Sequence, residues 1–234
     1  MVTFLAVGEK PNREGVIYTA KLLKREGLVD DYVITEKPRE DKIYVVGDHS
    51  GTYGVLQVLK VRSVLSIDAH TDLMQDYFDH ASWLAYALRD GIVERASVIG
   101  AVLMIPTTER TKLWTKSVKI FPALPRTRRV RGRWRRYINL KQHGLFVVDE
   151  ARRFLGDEIY LTIDLDVLRP EYRIARFQHG ELTLRELLEI IEEIFKRFSV
   201  VAVDIAEVSD RVARSKLGRR ALIEVFSLIR EVMG

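Results

Sequence analysis

Two aspartates and a histidine follow an apolar run at alternating positions. Asp68, His70 and Asp72 come directly after residues 64–67, which read Val-Leu-Ser-Ile. Because successive side chains of a strand point to opposite faces, an extended segment here directs all three side chains the same way. Carboxylates and an imidazole that converge at the end of a buried strand can bind a divalent metal ion. The segment therefore predicts one half of a metal site.

Two other apolar runs end in residues that supply the other half. Residues 160–163 precede Asp164 and Asp166, which lie two positions apart, and residues 43–46 come shortly before His49. All of these positions fall at the carboxyl ends of expected strands, where open α/β sheets place their sites. The six candidate metal ligands are His49, Asp68, His70, Asp72, Asp164 and Asp166.

The charge of this set favours two metal ions over one. Four carboxylates packed at strand ends repel one another and resist ionisation unless cations compensate them. Two divalent ions balance that charge, and six ligands suit two ions if Asp68 and Asp164 bridge them. Oxygen-rich ligands with two imidazoles and no thiolate favour Mn²⁺ over a structural zinc ion. Two such ions about 3.5–4 Å apart lower the pKa of a shared water, so the set predicts metal-assisted hydrolysis.

The elements that must position these ligands alternate between short β-rich runs and helical patterns. This alternation predicts a three-layer αβα fold with a mostly parallel central sheet. The predicted strands are residues 3–7, 32–35, 43–47, 63–67, 97–102, 118–121, 158–163 and 200–205. The predicted helices are residues 13–26, 51–60, 80–89, 147–155 and 183–198, together with a C-terminal helix that includes residues 222–233. Thr183 and Glu186 form a capping-box pattern at the start of the clearest helix.

Four motifs, in order along the chain, resemble those of the arginase/agmatinase (ureohydrolase) superfamily. They are Gly47-Asp48-His49-Ser50, Asp68-Ala69-His70-Thr71-Asp72, Thr162-Ile163-Asp164-Leu165-Asp166 and Asp204-Ile205-Ala206-Glu207-Val208. The resemblance implies an arginase-like fold and a binuclear manganese hydrolase that cleaves a guanidino or related C–N group, usually to urea and an amine. It also implies two ligand sets, which are His49, Asp68, Asp72 and Asp164 for one ion, and Asp68, His70, Asp164 and Asp166 for the other.

The same resemblance implies catalytic roles for Asp68, His80 and Glu207. His80 resembles the family histidine that shuttles protons or helps to bind substrate, and an ordinary histidine pKa near ~6.5 suits that task. Glu207 resembles the glutamate that faces the substrate guanidinium, for which a carboxylate is a natural bidentate partner. The alternatives are a helix N-terminal residue without a catalytic role for His80, and an ion-pair partner of nearby arginines for Glu207.

The departures from the family pattern fall on segments that face substrate. Val46 stands in place of the first glycine of a Gly-Gly-Asp-His motif, and Ala81 stands in place of the glycine after His80. The loop at residues 169–183 also differs from the family's Gly-, Thr- and Pro-rich loop. The metal ligands are intact, so these differences bear on the substrate and on whether the site is active.

Agmatine or a related polyamine precursor is the expected substrate. Asp79-His80 and Asp90-Gly91-Ile92 are similar to agmatinase sequences, and residues that would bind the head of an α-amino acid are missing. The alternative within the enzyme class is another C–N substrate, such as a formimino compound or an acylated amine.

Composition and length set the remaining expectations. The 234 residues are predicted to form one arginase-like domain, residues 1–234, without a membrane-spanning segment or a signal peptide. The absence of cysteine fits a cytoplasmic protein. A charged fraction of 30% and few Asn and Gln residues favour a thermophile. The family resemblance implies a homo-oligomer.

A basic run from Arg126 to Arg136 supports a competing interpretation. It contains seven arginines and Trp134, a combination typical of nucleic-acid binding. The alternatives are a solvated loop between a strand and a helix, or a subunit contact rich in ion pairs. Because the run is local and the net charge is only +5, we expect no nucleic-acid partner. The rival function is a metal-containing protein that holds nucleic acid with this run.

Overall fold

The fold is built on one sheet of eight parallel strands. The computed structural model describes residues 1–74, 77–106 and 116–234. The strands are β1 Val2–Leu5, β2 Tyr32–Thr35, β3 Ile43–Val46, β4 Ser63–Ile67, β5 Arg95–Ile99, β6 Val118–Phe121, β7 Thr127–Val130, β8 Arg133–Arg136, β9 Glu158–Asp164 and β10 Ser199–Ala206. The sheet has the order β2-β1-β3-β10-β9-β4-β5-β6, and β7 and β8 form a separate antiparallel hairpin.

Helices cover both faces of this sheet. They are α1 Lys10–Arg25, α2 Ser50–Leu59, α3 Trp83–Arg89, α4 Leu140–His143, α5 Phe146–Leu155, α6 Leu184–Arg197 and α7 Lys216–Met233. One apolar core packs α1, α5, α6 and α7 against the sheet, and a second core packs α2 and α3 against the other face. The predicted three-layer αβα class is therefore confirmed. Of the helices in the described parts of the chain, none combines the length and apolar character needed to cross a membrane.

The four central strands bring the sequence motifs to one edge of the sheet. Strands β3, β10, β9 and β4 are adjacent and parallel, with Ile67 opposite Ile163 and Asp164 opposite Ala206. Their apolar side chains are buried because helices cover both faces, which explains why the strands read as continuous apolar runs. The loops that follow these strands consequently leave the sheet side by side, and they carry the candidate ligands.

Most of the predicted elements form near their predicted positions. At the start of α6 the capping box is present, since the backbone N–H of Thr183 donates to Glu186 (2.8 Å) and that of Glu186 donates to the Thr183 hydroxyl (3.3 Å). Strand β5 ends at residue 99 and not at residue 102, because Gly100 turns the chain with φ of +102°. Residues 80–82 precede α3 and do not belong to it, because the Ser82 hydroxyl closes a turn with the backbone N–H of Asp79 (2.8 Å).

The basic run is a β-hairpin and not the solvated loop considered from the sequence. Arg131 and Gly132 form its turn, and both have a positive φ, 48° and 76°, as two-residue type I′ turns require. The side chains of β8 are exposed, and Trp134 is 67% exposed. The β-forming residues Thr127, Val130 and Trp134 on either side of a glycine turn gave a hairpin signal that the charge of the run obscured. The expected absence of a nucleic-acid partner stays a prediction.

Candidate metal centre

The structure brings all six candidate ligands together at the carboxyl edge of the central strands. Nδ1 of His49 lies 3.5 Å from Oδ2 of Asp68, 3.1 Å from Oδ2 of Asp72 and 3.3 Å from Oδ2 of Asp164. These four residues are buried. One imidazole nitrogen therefore faces three carboxylates in a space closed to solvent, which is the donor arrangement of a metal site.

A second group of ligands lies beside the first and shares Asp68 with it. Nδ1 of His70 lies 2.6 Å from Oδ2 of Asp166 and 3.7 Å from Oδ1 of Asp68. The ligand atoms of His49, Asp68 and Asp164 lie within 4.8 Å of one another, and so do those of Asp68, His70 and Asp166. Two adjacent groups with a shared carboxylate fit the predicted pair of metal ions. The expected bridging of the two ions by Asp68 and Asp164 stays a prediction.

The segment that carries three of the ligands is a turn and not an extended strand. Strand β4 ends at Ile67, and the Asp68 carboxylate then accepts a hydrogen bond from the backbone N–H of His70 (2.6 Å). Asp72 has φ of +50°, in the left-handed region that Asp tolerates better than most residues. The alternation argument for residues 68–72 was therefore wrong in its geometry. Local hydrogen bonds between side chain and backbone, which compete with extended structure, bring these ligands together instead.

A buried chain of hydrogen bonds orients His49. Its Nε2 lies 2.9 Å from the hydroxyl of Thr162, which donates to Oδ1 of Asp204 (2.5 Å). Asp204 also accepts from the hydroxyls of Thr52 and Tyr160, each at 2.7 Å. Such outer partners fix the ring so that the other nitrogen faces the metal. Sequence reasoning missed this role, although an aspartate inside the apolar run of β10 was a signal for it.

Trp83 holds Asp72 from the other side. Its indole N–H donates to Oδ2 of Asp72 at 2.6 Å, and its ring centroid lies 5.1 Å from that of His49. Trp83 is fully buried at the start of α3. Nothing in the local sequence indicated this contact, because Trp83 reads as an ordinary core residue on an apolar helix face.

Replacing Trp83 by Phe is expected to weaken metal binding by roughly 10- to 100-fold, because it removes the donor to Asp72 but keeps an aromatic ring. Calorimetric titration of metal-free protein with Mn²⁺ measures the effect. The matched control is Trp134→Phe, in which the same change falls on a 67% exposed residue and should leave the affinity unchanged. An unaltered affinity in Trp83→Phe would show that the indole donor does not support the ligand.

The electrostatics of the cluster show that it requires positive charge. Burial and the neighbouring carboxylates of Asp72 and Asp166 raise the pKa of Asp68 well above its usual value. Burial and the carboxylates of Asp166 and Asp68 raise the pKa of Asp164 in the same direction. Although burial alone would lower the pKa of His49, the adjacent carboxylates raise it to about 10. Each group thus favours the more positive protonation state. Four carboxylate and two imidazole ligands fit two divalent cations, which would supply that charge.

Glu207 lies against the ligands at the end of β10. Its Oε1 accepts the backbone N–H of His49 (3.1 Å), and its Oε2 accepts a weaker bond from the side-chain amide of Asn12 (3.4 Å). Asn12, in the first turn of α1, also donates to the carbonyl of Gly47, so it ties α1 to the ends of two strands. Burial, with a smaller effect of Asp48, raises the pKa of Glu207 to about 8. A buried carboxylate of this kind favours a cationic partner.

A cavity of about 260 Å³ opens onto the ligands. Glu207 and His80 both line it, as the sequence-based roles require. The His80 ring stacks on Phe177 with centroids 5.7 Å apart, and its Nδ1 lies 3.9 Å from the carboxylate of Asp48. The side chain of His80 is 40% exposed, so protons can pass between it and solvent. Both residues therefore lie beside the candidate ligands, and their roles toward a substrate stay predictions.

The altered loop at residues 169–183 completes the cavity. Gln178 anchors it, because its amide donates to the carbonyls of Leu165 (2.6 Å) and Leu168 (2.8 Å) and accepts from two backbone N–H groups. Gly180 passes so close to Val167 that a Cβ would collide with its backbone. The loop thereby brings His179 to the cavity, with its ring 6.0 Å from that of His70. Sequence reasoning left the position of His179 open.

The fold and the site together define a class of proteins. The family model described as Arginase family matches residues 31–233. The chain therefore belongs to the arginase family, which confirms the resemblance drawn from the motifs.

The similar proteins include ureohydrolases and agmatinases. An N(1)-aminopropylagmatine ureohydrolase of Thermus thermophilus is 26% identical over 174 residues, which cover 70% of this chain and 53% of that protein. An agmatinase of Pyrococcus horikoshii is 26% identical over 205 residues, covering 84% of this chain and 63% of that protein. The chain therefore spans between about half and two thirds of the length of these curated relatives.

Solved structures support the fold assignment. A hypothetical agmatinase from Burkholderia thailandensis superimposes with a TM-score of 0.76 and 15% identity, covering 99% of this chain and 84% of that one. An arginase from Bacillus subtilis gives a TM-score of 0.72 with 16% identity, covering 100% of this chain and 97% of that one. At these identities the likeness shows the arginase-like fold and carries no conclusion about substrate.

Proposed function

We propose that this chain is a hydrolase that uses two Mn²⁺ ions to cleave the C–N bond of a guanidino group, releasing urea and an amine. The observation that carries the proposal is the pair of ligand groups that share Asp68 and open onto a cavity lined by Glu207. The names of the similar proteins, which include agmatinase and N(1)-aminopropylagmatine ureohydrolase, support the same reaction.

Each group of residues has a separate task in this reaction. His49, Asp68, Asp72 and Asp164 would hold one ion, and Asp68, His70, Asp164 and Asp166 the other. When bound, the ions supply Lewis acidity, which makes water nucleophilic at neutral pH. Glu207 pairs with the guanidinium and positions its carbon toward the ligands.

The proton balance assigns a task to His80. Water adds to the guanidinium carbon, the bond from that carbon to the substituted nitrogen breaks, and both protons of the water end on that nitrogen, so the amine leaves as an ammonium and urea is neutral. His80 lines the cavity and is partly exposed, so it can carry a proton between water and the amine. Agmatine is the first substrate to test, since the relatives are named for it and for its aminopropyl derivative.

Urea release from Mn²⁺-loaded protein tests the proposal, with agmatine, arginine, guanidinobutyrate and formiminoglutamate as substrates and an amine readout beside it. We expect turnover that falls at least about 1,000-fold in Asp166→Ala, because one ligand group loses a carboxylate. The control is Asp31→Ala, which removes an exposed carboxylate and should leave turnover unchanged. Two bound ions without turnover of any guanidino compound would contradict the proposal.

A further inference from the structure

The wall of the cavity above the metal ligands is apolar. Apart from the ligands and Glu207, the described residues that line it are His80, Ala81, Leu103, Met104, Ala175, Phe177 and His179. Within this set there is no acidic side chain, no lysine and no arginine. Leu103, Met104 and Phe177 are 40%, 52% and 45% exposed. Large apolar side chains grouped around the mouth of a buried polar site indicate a surface that binds something apolar.

Backbone contacts hold this wall in place. The N–H groups of Val102 and Leu103 both donate to the carbonyl of Ala69, at 2.8 and 3.1 Å, so Leu103 is positioned from the ligand loop itself. The carbonyl of Met104 accepts the hydroxyl of Thr71 at 2.9 Å. On the other side, Gln178, which directly follows Phe177, is held by its hydrogen bonds to the carbonyls of Leu165 and Leu168. The wall is therefore set by the same turns that position the metal ligands.

In the described part of the chain, two charged side chains next to the wall, those of Arg176 and Asp48, have partners within the protein. Arg176 pairs with Glu9 (2.7 Å) and lies 5.4 Å from the centroid of the Phe177 ring. Asp48 accepts the backbone N–H of Ser50 (2.8 Å) and does not line the cavity. Among the described lining residues, the only carboxylates are thus those of Glu207 and of the aspartates in the ligand groups. All of these carboxylates are assigned to the reacting end of the substrate.

On the basis of the proposed function, we infer that the amine side of the guanidino substrate is uncharged and apolar, an alkyl or aryl group that packs on Leu103, Met104 and Phe177. An ammonium group moved from water onto Leu103, Met104 and Phe177 loses hydration, and these three side chains offer it no hydrogen-bond acceptor. Methylene or ring carbons gain free energy there by leaving water. The reacting guanidino group would then be the same as in the agmatine-type relatives. The group on the amine side, the tail of the substrate, would differ, because this cavity favours an apolar one.

A pair of substrates of equal length tests the inference. In pentylguanidine a methyl group replaces the terminal ammonium of agmatine, and the two compounds are otherwise alike. We expect kcat/KM from urea release to be roughly 10- to 100-fold higher for pentylguanidine, mainly through a lower KM. Calorimetric titration of the Mn²⁺-loaded protein with each compound gives the same ratio independently of turnover.

A single substitution should reverse the preference. Leu103→Asp places a carboxylate on the wall, so agmatine gains a partner for its ammonium and pentylguanidine loses an apolar contact. We expect the ratio of their kcat/KM values to shift toward agmatine by roughly 100-fold. The matched control is Leu217→Asp, which makes the same change at a 48% exposed leucine on α7, outside the cavity, and should leave the ratio unchanged.

The outcomes separate the two proposals. Turnover of agmatine equal to or better than that of pentylguanidine would overturn the inference and leave the hydrolase proposal intact. Absence of urea from every guanidine, with tighter binding of pentylguanidine than of agmatine, would overturn the hydrolase proposal and uphold the apolar tail. Equal binding of both compounds together with no turnover would overturn both.

Discussion

Loading metal-free protein with Mn²⁺ is expected to raise its Tm by roughly 10 °C, and a chelator should reverse the gain. The buried carboxylates of Asp68 and Asp164 repel one another and have raised pKa values, so the folded state without cations is destabilised. A ligand that binds only the folded state stabilises it by about 4 kcal/mol at 1,000 times its Kd. For a chain of this size, about 1 kcal/mol corresponds to about 2–4 °C.

Thermal unfolding of chelator-treated protein at pH 7.5, with and without Mn²⁺, measures this effect. The Trp134→Phe variant is the control, since its change lies on the exposed hairpin and should leave the metal-dependent shift intact. A Tm that does not respond to Mn²⁺, Co²⁺ or Zn²⁺ would mean that the ligand cluster does not hold divalent ions.

Asp68→Asn is expected to abolish activity while it stabilises the metal-free fold. Asp68 belongs to both ligand groups, so the variant should lose binding of both ions and at least about 1,000-fold in turnover. The amide keeps an acceptor for the backbone N–H of His70 but removes a buried carboxyl group that, without metal, must either stay charged or take up a proton on folding. We expect the metal-free Tm to rise by several degrees, corresponding to about 2 kcal/mol.

Metal content by elemental analysis and unfolding of the metal-free variant test both halves of this expectation. The control is Asp31→Asn, the same substitution at an exposed aspartate, which should change neither quantity. Two ions bound by Asp68→Asn, or a lower metal-free Tm, would contradict the assignment of Asp68 as the shared ligand. A carboxylate that serves metal binding should lower activity and raise the metal-free Tm when it is replaced. A carboxylate that only stabilises the fold should lower the Tm instead.

The strand-end ligands were predictable because their signal is local. Asp164 and Asp166 follow a continuous apolar run that a buried parallel strand requires, and the same pattern precedes His49. The strand order then sets these ends side by side at the centre of the sheet. The turn at residues 68–72 was not predictable in the same way, because hydrogen bonds and a left-handed residue replace the strand geometry there.

The supporting contacts of the ligands come from distant parts of the chain. Asp204 reaches His49 through Thr162, and Trp83 reaches Asp72 from the start of a helix on the far side of a loop. The basic run was misjudged for a different reason, because its charge favoured a loop although its glycine turn and the β-forming residues on either side of it form a hairpin. Pairings of this kind depend on which elements become neighbours, and that information is spread over the whole chain.

The amino-acid sequence by itself determined the class of fold, the family and the positions of six candidate metal ligands, because apolar runs and the residues that end them are read locally. The tertiary structure alone decided how the ligands divide into two groups and what faces them. Leu103, Met104 and Phe177 lie in loops without periodicity, so their types carry no positional signal. They form one wall because the loop after β5, which is hydrogen-bonded to the turn after β4, and the loop anchored by Gln178 meet over the same strand ends.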